Sequence, residues 1–163
     1  DNIPLILCSN HSSNLDPIFI SIVFPRQISW MAKQELFKSN FLSFVLNKLD
    51  AFPVDRDGSD ISAIKRALRV LKNNKVLGIL PEGTRTKTVD LNKAKSGVAL
   101  LGVKSQAAIL PVFIDSNYKI FRKTNIYIGE AIYLKKDKNT KLSSEDYKNM
   151  SKEILSRIYA LKK

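Results

Sequence analysis

The sequence predicts an α/β fold: one domain with a largely parallel, mixed sheet flanked by helices. Three observations lead there. Six short apolar runs are spaced along the chain, segments with helical periodicity lie between them, and 163 residues suit a single core. Repeats and low-complexity stretches are absent.

Residues 4–9, 28–32, 51–54, 76–80, 108–114 and 126–128 read as strands, several of them continuous apolar runs of the kind buried on both faces. Between them, Ile61, Ile64, Leu68 and Leu71 fall at helical spacing, with Lys65, Arg66, Arg69 and Lys72 on the other faces and Asp60 placed to cap the start. A last helix is expected from the N-cap Ser143 to the C-terminus, its stripe formed by Tyr147, Met150, Ile154, Ile158 and Leu161. Residues 17–24 and 37–46, the latter with Phe37, Phe41 and Phe44, are apolar. They are expected in the core, a place at a lipid interface being the alternative.

The formal charge of +12 favours anionic partners: nucleic acid, acidic membrane surfaces or phosphorylated substrates. The densest cluster, Lys135, Lys136, Lys138 and Lys141, reads as a solvated loop. No nucleic-acid motif is present and the aromatics do not interleave with the basic residues, so nucleic acid is not the expected partner. Cys8 is the single cysteine; it excludes an internal disulfide and a cysteine-based metal site, and its apolar neighbours place it in the core. No run approaches the roughly 20 apolar residues of a membrane-spanning helix. The chain begins with Asp1 and enters a strand almost at once, as expected of an excerpt that lacks its natural N-terminus.

His11, the only histidine, follows the first strand in Ser9-Asn10-His11-Ser12-Ser13-Asn14-Leu15-Asp16. Imidazole titrates near neutrality and suits general-base work, and a carboxylate beside it can fix its tautomer. On a continuous helix, residues five apart would lie about 140° from each other around the axis, so a dyad needs a turn, which Ser-Ser-Asn can supply. Asp16 ahead of Pro17 also matches an N-cap with proline at N1, and the two roles are compatible. Two more loops follow strands. In Pro81-Glu82-Gly83-Thr84-Arg85, glycine permits a tight turn and arginine can fork onto phosphate, although the same letters make an ordinary turn. In Phe52-Pro53-Val54-Asp55-Arg56-Asp57, Arg56 can bind an anion or pair with a neighbouring aspartate.

The order and spacing of these loops resemble the glycerolipid acyltransferase family, specifically the 1-acylglycerol-3-phosphate acyltransferases. His11 to Asp16 resembles the HX4D block, Phe52 to Arg56 the second block, Pro81 to Arg85 the third and Ile109-Leu110-Pro111-Val112 the fourth. Lys33-Gln34-Glu35-Leu36 and Lys95-Ser96-Gly97 resemble positions between them. Leu80 stands where the third block usually has Phe, and the segment between Lys87 and Lys93 is shorter or less typical. Residues 1–163 would then form an acyltransferase catalytic domain lacking an N-terminal membrane-associating segment.

The resemblance implies transfer of a fatty acyl group from acyl-CoA or acyl-carrier protein to the free hydroxyl of a lysophosphatidate, at the cytoplasmic face of a membrane. His11 would be the base and Asp16 its partner. Arg56, Glu82, Gly83, Thr84, Arg85 and Lys95 would form the substrate-binding site, with Arg56 and Arg85 on phosphate, Lys95 a further cation, and Glu82 and Gly83 shaping the pocket. No metal or prosthetic group is implied. Another lysophospholipid or glycerol-3-phosphate is the first alternative acceptor. A non-catalytic basic domain that binds an anionic membrane is the second reading, with His11 and Asp16 a turn and a cap. An esterase would need a G-x-S-x-G elbow, and none is present.

Overall fold

The computed structural model describes residues 3–55, 60–86, 88–115, 118, 123–135 and 141–162. Among these, β1 (Leu5–Ser9), β2 (Ile28–Lys33), β3 (Phe52–Val54), β4 (Val76–Ile79), β5 (Ala108–Asp115) and β6 (Asn125–Ile128) form one sheet in the order β3-β2-β4-β1-β5-β6. All neighbours are parallel except β5 and β6. Each strand matches its expected run to within one residue at either end.

The helices are α1 (Asp16–Val23), α2 (Asn40–Lys48), α3 (Ile61–Lys72), α4 (Gly97–Ser105) and α5 (Ser144–Ala160). Alternation along the strands sends Leu5, Leu7, Val76 and Ile114 to one face, where Ile20 of α1 and Leu46 of α2 pack. Ile6, Cys8, Leu77 and Ile109 go to the other, against Ala67 of α3, Leu101 of α4 and Ile154 of α5. Gly78 of β4 has no side chain because the Trp30 indole lies there: an added Cβ would sit 2.4 Å from Trp30 Cε3. The indole Nε1 donates to Ser21 Oγ of α1 at 2.9 Å, which ties that helix to the sheet.

Asp60 caps α3 as expected, accepting from the Ala63 N–H at 2.9 Å, and Ser143 opens α5 with a reciprocal bond to Asp146. The apolar tracts divide. Ile20 is buried and Phe19, Phe37 and Leu46 are half-buried, but Ile22, Val23, Phe41, Leu42 and Phe44 lie outward, Phe41 at 74% exposure. The expectation of core burial fails for those five, because α1 and α2 each turn only one side to the sheet and carry apolar residues beyond it.

The chain leaves β1 through α1 toward β2 on one face and leaves β4 through α4 toward β5 on the other, so adjacent strands send their connections in opposite directions. A crevice opens outside their C-terminal ends, the usual place for a site in an open α/β sheet.

Candidate active site

β1 stops pairing through its main chain at Ser9, and Asn10 continues with its side chain. Its amide accepts from the Ile114 N–H at 2.8 Å and donates to the Ile114 carbonyl at 3.1 Å. The next residue, His11, is thereby delivered to the crevice, almost buried at 7% exposure. A turn closed by the Asp16 N–H on the Ser13 carbonyl at 3.1 Å then reverses the chain. His11 Nδ1 meets Asp16 Oδ2 at 3.1 Å, and the same oxygen accepts the Ser12 and Ser13 N–H groups at 2.7 and 2.8 Å. The other oxygen, Oδ1, accepts from Ser12 Oγ at 3.3 Å and from the Tyr118 hydroxyl.

Asp16 is not the N-cap expected of it. Leu15 holds that position, and Asp16 is the first helical residue, its carboxylate spent on the preceding loop rather than on the free amides of α1. Burial pushes the Asp16 carboxyl up. Donors from His11, Ser13, Tyr118 and Ser12 outweigh burial and hold it below the ordinary carboxylate range. An ionised Asp16 makes Nδ1 the protonated nitrogen of a neutral His11 and leaves Nε2 as a free base.

The loop after β4 grips His11 from the other side. Glu82, 1% exposed, accepts the His11 N–H at Oε2, 2.7 Å, while the Thr86 N–H donates to the His11 carbonyl at 2.8 Å. Glu82 Oε1 accepts from Thr86 Oγ1 at 2.5 Å and from Tyr159 of α5 at 2.6 Å. Burial and the Glu82 carboxylate push the Tyr159 phenol up to about 12. With both oxygens engaged by protein donors, Glu82 positions the His11 main chain and shapes the pocket around it. Gly83 turns with φ +67°, a conformation that favours glycine, and the stem of Lys95 packs beside it, 3.4 Å from where a Cβ would sit. The Lys95 N–H donates to the Pro81 carbonyl at 2.8 Å, fixing that lysine beside the loop.

Two grooves meet here. One, of about 590 Å³, is walled by His11, Gly83, Thr84 and Arg85, with Lys33, Lys93 and Lys95 on its rim. The other, of about 650 Å³, shares Gly83 and Lys95 and runs between α3 and α4 over Met31, Ala63, Ile64, Val98 and Leu101. Thr84, Arg85 and Lys95 are exposed on the walls. Lys148 of α5 reaches the first groove but donates to the carbonyls of Asn92 and Ala94, bracing the turn that carries Lys93. Arg56, Lys136 and Lys138 lie outside the described residues.

The structure therefore unites His11, Asp16, Glu82, Gly83, Thr84, Arg85 and Lys95. Sequence reasoning missed Tyr118 and Tyr159, which donate to the two carboxylates that hold His11. Tyr159 stands one residue from Ile158 of the expected α5 stripe, and that helical phase is the only signal that could have turned attention to it.

A sequence model described as Acyltransferase matches residues 1–115. The 1-acyl-sn-glycerol-3-phosphate acyltransferase of Bacillus subtilis is 33% identical over 144 residues, covering 82% of this chain and 71% of that protein. The protein of the same name in Borreliella burgdorferi is 29% identical over 141 residues, covering 82% of this chain and 56% of its own. The human 1-acyl-sn-glycerol-3-phosphate acyltransferase beta is 31% identical over 124 residues, 74% of this chain and 44% of its own. The chain thus spans from under half to about seven-tenths of these relatives. The crystal structure of the 1-acyl-sn-glycerophosphate (LPA) acyltransferase from Thermotoga maritima superposes with a TM-score of 0.69 at 24% identity, over 99% of this chain and 68% of that one, and shows the same fold. With its matched region carrying both loops that grip His11, this chain belongs to the acyltransferase family.

Proposed function

We propose that this chain moves a fatty acyl group from an acyl thioester, acyl-CoA or acyl-carrier protein, to the free hydroxyl of 1-acylglycerol-3-phosphate, giving phosphatidic acid. The observation that carries the reading is a His–Asp pair at the junction of a cationic groove and an apolar one. The relatives' names point to the same acceptor.

In this mechanism His11 Nε2 takes the proton of the acceptor hydroxyl as its oxygen attacks the thioester carbonyl. Asp16 holds the ring by Nδ1 and offsets the imidazolium charge as it develops. Collapse of the tetrahedral intermediate breaks the C–S bond, and His11 returns its proton to the departing thiolate. Transfer is direct in this reading: burial pushes the Cys8 thiol up and away from reactivity, and the Ser12 and Ser13 hydroxyls engage Asp16 and the Leu15 N–H rather than His11. Arg85, Lys95 and Lys33 offer the acceptor phosphate a set of cations, with Arg56 a further ligand by its place in the second block. The acyl chain lies in the groove between α3 and α4. The reading assigns no role to a metal or a prosthetic group.

The acceptor is a bilayer lipid, and the outward residues of α1 and α2 suit a lipid surface. Phe41 and Phe44 project from α2, which carries no acidic residue and has Lys38 before it and Lys48 at its end. We place this side on the cytoplasmic leaflet, where acyl-CoA and acyl-carrier protein are found. Among the described residues no helix is long and apolar enough to cross a membrane.

The decisive experiment follows thiol release from acyl-CoA with a panel of lysolipids in anionic vesicles. Wild type is expected to prefer lysophosphatidate. His11→Ala should lower kcat by about 10³-fold and Asp16→Asn by about 10²-fold at equal folded concentration. Wild-type turnover by His11→Ala would refute the mechanism, and preference for a neutral or zwitterionic lysolipid would refute the acceptor.

A further inference from the structure

Tyr118 lies outside the motif blocks, yet its hydroxyl donates to the carboxylate that orients the proposed base. Its backbone is unusual: φ is +48°. The other described residues with positive φ are Asp50, Asn74, Gln106 and Gly83, and an aromatic side chain is the least suited to that region. Strain of this kind persists only where surrounding contacts overrule it, and such positions cluster at functional sites. The side chain packs beside the core of that face, and two of its contacts are with α1. The ring stands edge-on to Phe19 at 5.3 Å between centroids, and the hydroxyl reaches Asp16 Oδ1.

The division of donors over the Asp16 carboxylate explains what the tyrosine adds. Three donors converge on Oδ2: two main-chain N–H groups and His11. Donors on one oxygen leave the group free to swing about it. A donor on the second oxygen fixes the plane, and the Ser12 hydroxyl at 3.3 Å is a weak one. A neutral phenol also fixes the plane without cancelling the carboxylate charge, as an arginine or lysine there would. Burial and the Asp16 charge push the phenol up, so it stays a donor throughout the working pH range.

We propose that Tyr118 is a positioning residue of the His11–Asp16 pair, locking the carboxylate plane so that Oδ2 stays on His11 Nδ1. This assignment rests on the acyl-transfer reading for its kinetic consequence but not for its physical one. Among the described residues, the charged groups around His11 are Asp16 and Glu82, with Lys33, Arg85, Lys93, Lys95 and Lys148 on the same groove. Tyr118→Phe changes none of them and keeps the ring on Phe19. Removing the donor unlocks the carboxylate plane, so Oδ2 spends less time on His11 Nδ1 and the imidazolium loses part of its stabilisation.

The chain has one histidine, so its ring protons can be followed by NMR without assignment. In Tyr118→Phe the His11 titration midpoint is expected to move to lower pH, and the acid limb of kcat/KM to move with it. The kcat should fall about 10-fold with KM within about twofold of wild type. The same change made on Asp16→Asn should cost nothing further, because the tyrosine acts through that carboxylate. A titration that is unmoved or moves to higher pH, or a full additional loss on Asp16→Asn, overturns the proposal. If wild type transfers no acyl group, the acyl-transfer reading fails while the NMR titration still decides the role of Tyr118.

Discussion

The Glu82 carboxylate accepts the main-chain N–H of His11 at 2.7 Å, so the loop after β4 fixes the backbone of the residue whose ring is fixed by α1. Glu82→Ala would leave that buried N–H without its acceptor and strip the Thr86 and Tyr159 hydroxyls of theirs. A loss of about 1–3 kcal/mol in urea unfolding is expected. The kcat should fall about 10²-fold, since a base misplaced by about 1 Å carries that scale of penalty. Glu82→Gln retains an acceptor for His11 and should recover most of the stability.

Tyr159→Phe removes a single donor, and Thr86 remains on the same oxygen. The expected cost is about 1 kcal/mol in unfolding free energy. A fall in kcat of several-fold with unchanged secondary structure would place α5 in the catalytic apparatus.

Gly78→Ala should be far worse than Gly102→Ala. At Gly78 the new methyl meets Trp30 ring carbons at 2.4 and 2.6 Å and Ile28 Cγ2 at 2.7 Å, in the middle of the sheet. At Gly102 its nearest neighbour is Ile109 Cδ1 at 2.8 Å, the mobile end of a flexible chain. Overpacking of a rigid core typically costs about 1–3 kcal/mol, and thermal melts of the two variants should differ by at least the low end of that range.

The strands were legible because β-runs buried on both faces write themselves as continuous apolar stretches, and α3 because Ile61, Ile64, Leu68 and Leu71 alternate with bases at helical spacing. α4 was not legible: Gly97-Val-Ala-Leu-Leu-Gly-Val is apolar on every side and carries two glycines, so no stripe marks it. The proximity of His11 and Asp16 was readable, whereas the route was not, since Asp16 turns away from the helix it begins. Tyr118 carried no signal, and Tyr159 only its helical phase beside Ile158. Each is far along the chain from the carboxylate it serves, and a hydroxyl's partner is a property of the folded chain.

Acid should test Asp16 separately from catalysis. Folding lowers its pKa, so the unfolded chain takes up the proton first. The stability that Asp16 contributes is complete above the ordinary carboxylate pKa of about 4 and is lost as pH falls through the folded value. Urea midpoints measured from about pH 6 down to about pH 2 should fall less steeply for Asp16→Asn than for wild type.

The outward face of α2 offers a lipid test. Phe41→Ser with Phe44→Ser should weaken sedimentation with anionic vesicles while leaving turnover of a short-chain, freely soluble lysophosphatidate within about twofold. Equal loss on both substrates would mean that these rings serve the fold instead.

The thiol of Cys8 is fully buried in β1, three residues before His11 and between two paired strands. As the lone cysteine, it is a built-in clock for the strand that carries the base. A thiol reagent can mark it only in molecules whose sheet has come apart, so its rate of labelling counts openings. Slowing of that rate by a lysolipid or an acyl thioester would register occupancy of the crevice without any chemistry taking place there.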